Sequence, residues 1–236
     1  MNFIEWPRRL FRSQSAPAFH LVHFNRSGGQ ALSGVERVTR TDRGFWRAEV
    51  NDIILNAREA DQWRSWHALS QSIGGRAGVV ALSFSQWMAQ KNYSAAGVSG
   101  HADGSSFADG AGYRSSTMRA YMHETAEIGQ TVVKIRVDYG IDHPAGLHFS
   151  HEWALYLCGA IRSQSDAVFE VPISPAIRRR IPAGAELELT EPGCLMKLTD
   201  DRAMDVVMPL SRIAKVSLKF VEALEVWEEL AEEEYG

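Results

Sequence analysis

The 236-residue chain lacks most of the features that announce a protein class. It has only two cysteines, Cys158 and Cys194, too few for a disulfide framework. A reduced, cytosolic chain is the expectation, and the spacing leaves open whether the two approach each other. No apolar run approaches the roughly 18–20 residues of a membrane span. The opening Met-Asn-Phe-Ile-Glu-Trp-Pro-Arg-Arg-Leu has no basic region followed by an apolar core and a small-residue cleavage site. Neither a membrane anchor nor a signal peptide is expected. The net charge of −4 gives no global basic footprint for nucleic acid. No Gly-x-Gly-x-x-Gly opens a helix, and there is no P-loop and no His-Glu-x-x-His. Gly97-Val98-Ser99-Gly100-His101 misses the nucleophile elbow because Gly100 falls one place early. No repeat of fixed period occurs.

What is present is ordinary globular composition, 45% hydrophobic and 23% charged. The length suits one large domain or two small ones. Residues 1–17 are mixed and end in Ser15-Ala16-Pro17, which reads as an arm outside the core. A short apolar stretch at 19–24 leads to a turn signal, Ser27-Gly28-Gly29. Partial alternation over 31–40, the turn Thr41-Asp42-Arg43-Gly44 and a return through 45–55 predict a hairpin. Asn56 with Glu59 three residues later resembles a capping box. Ala60, Trp63, Trp66, Leu69 and Ile73 make one apolar helical stripe, stopped by Gly74-Gly75. Residues 76–84 return to strand character.

Residues 91–129 break the pattern, with Gly97, Gly100, Gly104, Gly110 and Gly112 among Ser, Ala and Asp. An extended loop is expected there. From Gly129 onward short strands recur at intervals of roughly 8–12 residues, the spacing of a sandwich or small barrel. These are 130–137, 146–150, 153–161, 167–173, 185–189, 194–198 and 213–221. The tail from 222 carries Ala223, Val226, Trp227, Leu230 and Ala231 at helical spacing among seven glutamates, which predicts a short acidic amphipathic helix.

Several constellations could carry chemistry. His20 and His23 are three apart, as are His148 and His151, but on a strand that spacing points the two side chains to opposite faces. A metal site needs three or four converging ligands, so these read as ordinary polar residues. Asp103-Gly104 and Asp109-Gly110 lack the closing Glu of a calcium loop. Arg178-Arg179-Arg180 could meet phosphate or an acidic partner surface; a solvated loop between prolines is the plainer reading. Cys158 and Cys194 have no neighbouring Cys or basic residue to mark a redox centre. The tryptophans read as packing, with Trp46 or Trp153 as the alternative of a carbohydrate platform. No catalytic, cofactor-binding or metal residue is assigned, no cofactor is expected, and the chain is read as not an enzyme.

The order of segments resembles a known family. Gly34-Val35-Glu36-Arg37-Val38 and Gly44-Phe45-Trp46-Arg47-Ala48-Glu49-Val50 lead into the helix with Glu59, Ala60 and Trp63. Downstream stand Pro144-Ala145-Gly146-Leu147-His148-Phe149-Ser150, Pro172-Ile173-Ser174-Pro175-Ala176-Ile177-Arg178 and Ile181-Pro182-Ala183-Gly184-Ala185. Phe220-Val221-Glu222-Ala223 closes the last strand. Over 31–85 and 130–223 this resembles the distal tail proteins of bacteriophages with long non-contractile tails and of related gene-transfer particles. The resemblance implies a structural virion protein of the tail tip, or baseplate. It implies a homo-oligomeric ring, commonly a hexamer of six copies, joining tail tube protein to tail hub protein. It implies a belt β-domain and no catalytic residue. The expected location is the virion tail, assembled in the host cytoplasm, with no specific nucleic-acid partner. Alternatives are another tail ring component (a tube terminator or a hub protein) and a carbohydrate-binding receptor-recognition module.

The expected fold is mainly β. A β-sandwich or split-barrel belt, residues 18–90 and 205–221, carries one amphipathic helix and a hairpin. A small β-barrel-like unit, 130–204, is inserted into it. An arm at 1–17, the Gly-rich loop at 91–129 and an acidic helix at 222–236 complete the layout.

Overall fold

The computed structural model describes residues 3–11, 13, 16–30, 32–34, 36–86, 98–99, 113–114 and 118–235. Along the chain these form β1 (Ile4–Glu5), β2 (Ala18–Gln30), β3 (Glu36–Asn56), α1 (Ala60–Ile73), a 3₁₀ turn at Gly75–Ala77 and β4 (Val80–Ser83). Next come β5 (Val98–Ser99), β6 (Tyr113–Arg114), β7 (Arg119–Met122), β8 (Val132–Tyr139), β9 (His148–His151) and β10 (Ala154–Cys158). The remainder is β11 (Ser163–Ser165), β12 (Val168–Ser174), β13 (Glu186–Leu187), β14 (Gly193–Leu198), β15 (Ile213–Glu222) and α2 (Leu224–Tyr235). Among the described residues the fold is mainly β with two helices and a nearly closed barrel-like sheet, in line with the mainly β fold and short C-terminal helix expected from the sequence.

Two compact units divide the chain: Met1–Phe84 with Gly193–Gly236, and Ser85–Pro192. The first contains a six-stranded sheet in the order β1-β4-β14-β15-β3-β2. Only the β1–β4 pair is parallel. Its core is aromatic. Phe11 meets Trp66 edge-on at 5.2 Å between ring centroids, and Trp6 lies 5.7 Å from Phe11 and 5.9 Å from Phe220. Trp66 is fully buried and donates its indole N–H to the Met204 carbonyl at 3.0 Å. Truncating such a residue costs about 3–5 kcal/mol.

Several sequence expectations for this unit need correction. The opening segment is core, not a free arm. Ile4 and Glu5 pair with Val80 and Ala81, and Trp6 and Phe11 are buried. Asn56 does not cap α1. It is the last residue of β3, paired to Ile213, and its side chain accepts only the Arg58 N–H. The helix starts later, behind Glu59, without a side-chain cap. Gly74 does end it, at φ 62, and Gly75 follows at φ 70. A side chain on Gly75 would place Cβ 2.8 Å from Asp201 Oδ1, so that position requires glycine on both counts.

The hairpin is also not the expected one. Ser27-Gly28-Gly29 and Thr41-Asp42-Arg43-Gly44 are not turns; both lie inside long strands, 13 residues in β2 and 21 in β3. Phe24 faces Thr41, whose hydroxyl donates to the Phe24 carbonyl. The register slips between Val22 and Phe24 and between Ser27 and Gln30. Gly44 marks a close approach: a Cβ there would sit 3.2 Å from the Val22 carbonyl.

Residues 193–198, assigned from sequence to the inserted unit, form β14 in the first sheet. Cys194 pairs with Leu82 on one side and Met196 with Glu222 on the other. Burial of five of its six residues is what a central strand requires.

The second unit is a seven-stranded sheet in the order β13-β7-β8-β12-β10-β9, with β11 beside β12. Its inward residues alternate, as in β8 and β12. Its outer strands are joined by reciprocal backbone bonds of 2.9 Å between Ser150 and Glu188, so the sheet nearly closes into a barrel. β7 contributes to it, although residues 119–122 were expected within the Gly-rich loop. Apart from 98–99, 113–114 and 118–129, that loop lies outside the described residues.

Candidate interaction surface

Among the described residues no group of three or more His, Cys, Asp or Glu could hold a metal ion. His20 and His23 are exposed on β2. His148 and His151 end β9, and His148 is clamped by Gln86. The Gln86 Oε1 accepts the His148 backbone N–H at 2.9 Å, and its amide nitrogen donates to the His148 and Leu189 carbonyls. Burial pushes the His148 imidazole down to about 4, so it is neutral at pH 7. Both cysteines are buried and neither forms a disulfide, and burial raises the Cys158 thiol to about 12. That makes it an inert packing residue.

The arginine run is engaged within its own unit. Arg179 pairs with Glu152, Arg180 lies 3.3 Å from Glu127, and the Arg178 backbone N–H donates to the Tyr156 hydroxyl. Trp46 is 1% exposed and is core, which removes it as a carbohydrate platform. Trp153 sits at φ 70 in the two-residue turn between β9 and β10. Asp103 and Asp109 lie outside the described residues, as do the surroundings of Ser99. A cleft of about 440 Å³ in the second unit is lined by Asp138, Tyr139, Asp142, Gln164, Asp166 and Phe169. Its polar groups are partly spent: Asp138 pairs with Arg136 at 3.1 Å, and Arg119 lies over the Tyr139 ring at 5.2 Å.

The feature that stands apart is the distal half of the β2–β3 hairpin. β15 pairs with β3 only from Arg47 to Asn56. Beyond Phe45 the two strands pair only with each other among the described residues, and the described side chains from His23 to Thr39 are exposed. Isolated two-stranded ribbons are at best marginally stable in water. This one nevertheless presents Phe24 (57% exposed), Val38 (54%) and, at its tip, Leu32, fully exposed. Register assigns its faces. Phe24, Arg26, Arg37, Thr39 and Thr41 share one, and Ser27, Glu36 and Val38 share the other. The Ser27 hydroxyl donates to Glu36, which confirms the second set. Arg26 and Arg37 have no ion-pair partner among the described residues.

A second surface of the same unit carries the opposite charge. Ala223, Val226 and Trp227 are buried, while Glu225, Glu228, Glu229 and Glu232 are exposed at i, i+3, i+4 and i+7. Glu222 anchors this arrangement. Its carboxylate is 2% exposed and accepts the Trp46 backbone N–H at 3.0 Å and the Trp227 indole N–H at 3.1 Å. Of the exposed glutamates, Glu225 meets Lys197 at 2.5 Å; partial burial opposes its ionisation, but that bond wins and holds its pKa below the usual value. Glu228, Glu229 and Glu232 have no partner among the described residues. α2 has no basic residue in its last turn, the wrong sign of charge for a helix C-terminus.

The acidic stripe was legible from glutamate spacing. The basic face of the ribbon was not, because Ser27-Gly28-Gly29 imitates a turn. The uninterrupted strand character from 36 to 56 was the signal that could have found it. In comparisons with known proteins, no family model matches the chain and no curated protein sequence matches it.

Proposed function

We propose that the chain is a structural ring component of a phage-type tail, with the role of a distal tail protein. In this reading six copies close into a ring between tail tube protein and tail hub protein. It acts in the virion tail, is assembled in the host cytoplasm, and carries no catalytic activity. The observation that supports the reading is the hairpin arm: a ribbon exposed on both faces, with apolar side chains on each, next to the open edge of β2. Such a surface is a hazard for a monomer and an asset for a closed assembly, in which each copy covers the next. The resemblance in segment order supplies the tail-tip assignment.

The test is mass and shape of the purified full chain by light scattering and negative-stain microscopy over a concentration series. Discrete rings with a central hole are expected. A monomeric mass at every concentration overturns the reading.

One observation favours a second reading, carbohydrate recognition by the barrel. Trp153 occupies a left-handed backbone conformation that large side chains rarely adopt, which is the kind of local strain found at binding sites. Binding on a glycan array that is lost in Trp153→Ala would replace the ring reading with this one.

A further inference from the structure

We infer that the basic face of the hairpin arm of one copy docks on the acidic stripe of α2 in the next copy, so that the copies join head to tail. This rests on the self-association proposed above and names its chemistry.

Three observations carry it. The first is charge. The arm, residues 23–43, has four arginines against Glu36 and Asp42, and Glu36 lies on the face away from Arg26 and Arg37. α2 has six glutamates and no basic residue. The second is spacing. Arg37 is the diagonal neighbour of Arg26 across the ribbon, about 7–8 Å away. Glu228 and Glu232 are one helical turn apart, a rise of about 6 Å. Two guanidinium groups so placed can each meet a carboxylate, and arginine suits this because its planar fork binds carboxylate through two parallel hydrogen bonds.

The third is that each surface lacks something the other supplies. Glu228 and Glu232 are a like-charge pair at i, i+4 with no partner among the described residues, which destabilises a helix, and the helix C-terminus attracts cations. The arm has exposed apolar groups and, among the described residues, no third strand. Neither Arg26 nor Arg37 is paired within its own chain among the described residues, so the chain does not satisfy its arm with its own helix. An arm-to-helix contact joins two different patches. Repeated head to tail by a rotation that closes, it gives a ring; a particle mass of more than two copies separates that ring from a reciprocal two-fold exchange of arms.

The experiment uses the full chain and two charge-reversed variants, Arg26→Glu/Arg37→Glu and Glu228→Arg/Glu229→Arg/Glu232→Arg. Circular-dichroism melts of the variants check folding. The wild-type assembly midpoint, read by light scattering, should shift to at least about tenfold higher concentration between 50 and 500 mM salt. Each reversal alone should abolish assembly at concentrations where the wild type assembles. An equimolar mixture of the two variants should restore it, because in a ring with an even number of copies every acidic arm then faces a basic helix. A wild type that is monomeric throughout defeats both this inference and the ring reading. A wild type that assembles while the reversals have no effect overturns the inference and leaves the ring. Reversals that dissociate the ring, with no rescue on mixing, also overturn it, because the groups then do not act on each other.

Discussion

In the barrel unit the outer strands β9 and β13 are brought together through Ser150 and Glu188. In the first unit β2 runs for 13 residues with no strand on its outer side among the described residues, and half of it rises beyond the rest of the sheet. Both units are built from the same kind of alternating strand. They differ in where the backbone bonds of the last strand go. A sheet that closes on itself satisfies its edges internally and needs no partner. A sheet that ends on a long bare ribbon keeps its edge groups in water and leaves apolar side chains exposed on both faces. The comparison puts the nearly closed edge in one unit and the exposed edge in the other.

The largest effect should come from the joint between α2 and the first sheet. Glu222→Ala removes the acceptor of two buried donors, the Trp46 backbone N–H and the Trp227 indole. Each orphaned donor costs about 1–3 kcal/mol, so a loss of about 2–6 kcal/mol is expected in chemical denaturation. Loss of the Trp227 fluorescence signature should accompany it. A barrel that loses as much stability as the first unit would break the comparison.

Gly75→Ala comes next. It forces a side chain into a left-handed backbone conformation and against Asp201. A cost of about 1–3 kcal/mol is expected in the same measurement. Asp201 itself should show the change by NMR titration. Its carboxyl is held below the usual value by the Arg76 backbone N–H and then by the Arg76 side chain, and it should move back up when that turn is displaced.

The third test addresses the barrel through pH. His148 is depressed to about 4 in the folded state by burial, whereas an exposed imidazole titrates near 6.5. The unfolded chain therefore binds the proton more readily. Stability is complete above pH 6.5, falls as pH drops from 6.5 to about 4, and is level below that for this group. Between pH 7 and 5 the loss should be about 1–2 kcal/mol, and His148→Gln should flatten the profile. An unchanged profile would remove burial of His148 as a source of the barrel's acid sensitivity.

The smallest effect on stability, and the most informative, is expected from the arm. Replacing residues 25–40 by Asn-Gly keeps the Phe24–Thr41 pair and closes the ribbon with a two-residue turn. Unfolding free energy should change by less than about 0.5 kcal/mol, since the described side chains of the removed segment are exposed. Light scattering should nevertheless show complete loss of assembly. A large drop in stability would mean that the ribbon belongs to the core after all.

How far these features could be read in advance depends on whether the signal is local. The helix α1 and its stop at Gly74 were legible because the apolar stripe and the left-handed glycine are local signals. The barrel strands β8, β9, β10, β12 and β13 and the helix α2 were legible for the same reason, whereas β7 and β11 were not. Thr41 and Gly44 were misread because a bulge and a turn use the same residue types; only the pairing of Phe24 with Thr41 separates them, and pairing is not local. Trp6 and Phe11 looked like part of a mixed arm. Their partners Phe220 and Trp66 are far along the chain, so nothing near them announced burial. Residues 193–198 were assigned to the wrong unit because an inserted domain returns the chain to its first sheet without any change in composition.

The carboxylate of Glu222 has a mechanical consequence. It holds the backbone of β3 at Trp46, one residue from where the ribbon leaves the sheet, and the indole of α2 in the same grip. Tension drawn along the ribbon is therefore delivered at its root to a point shared with the helix. The two respond as linked parts of a lever rather than as separate appendages.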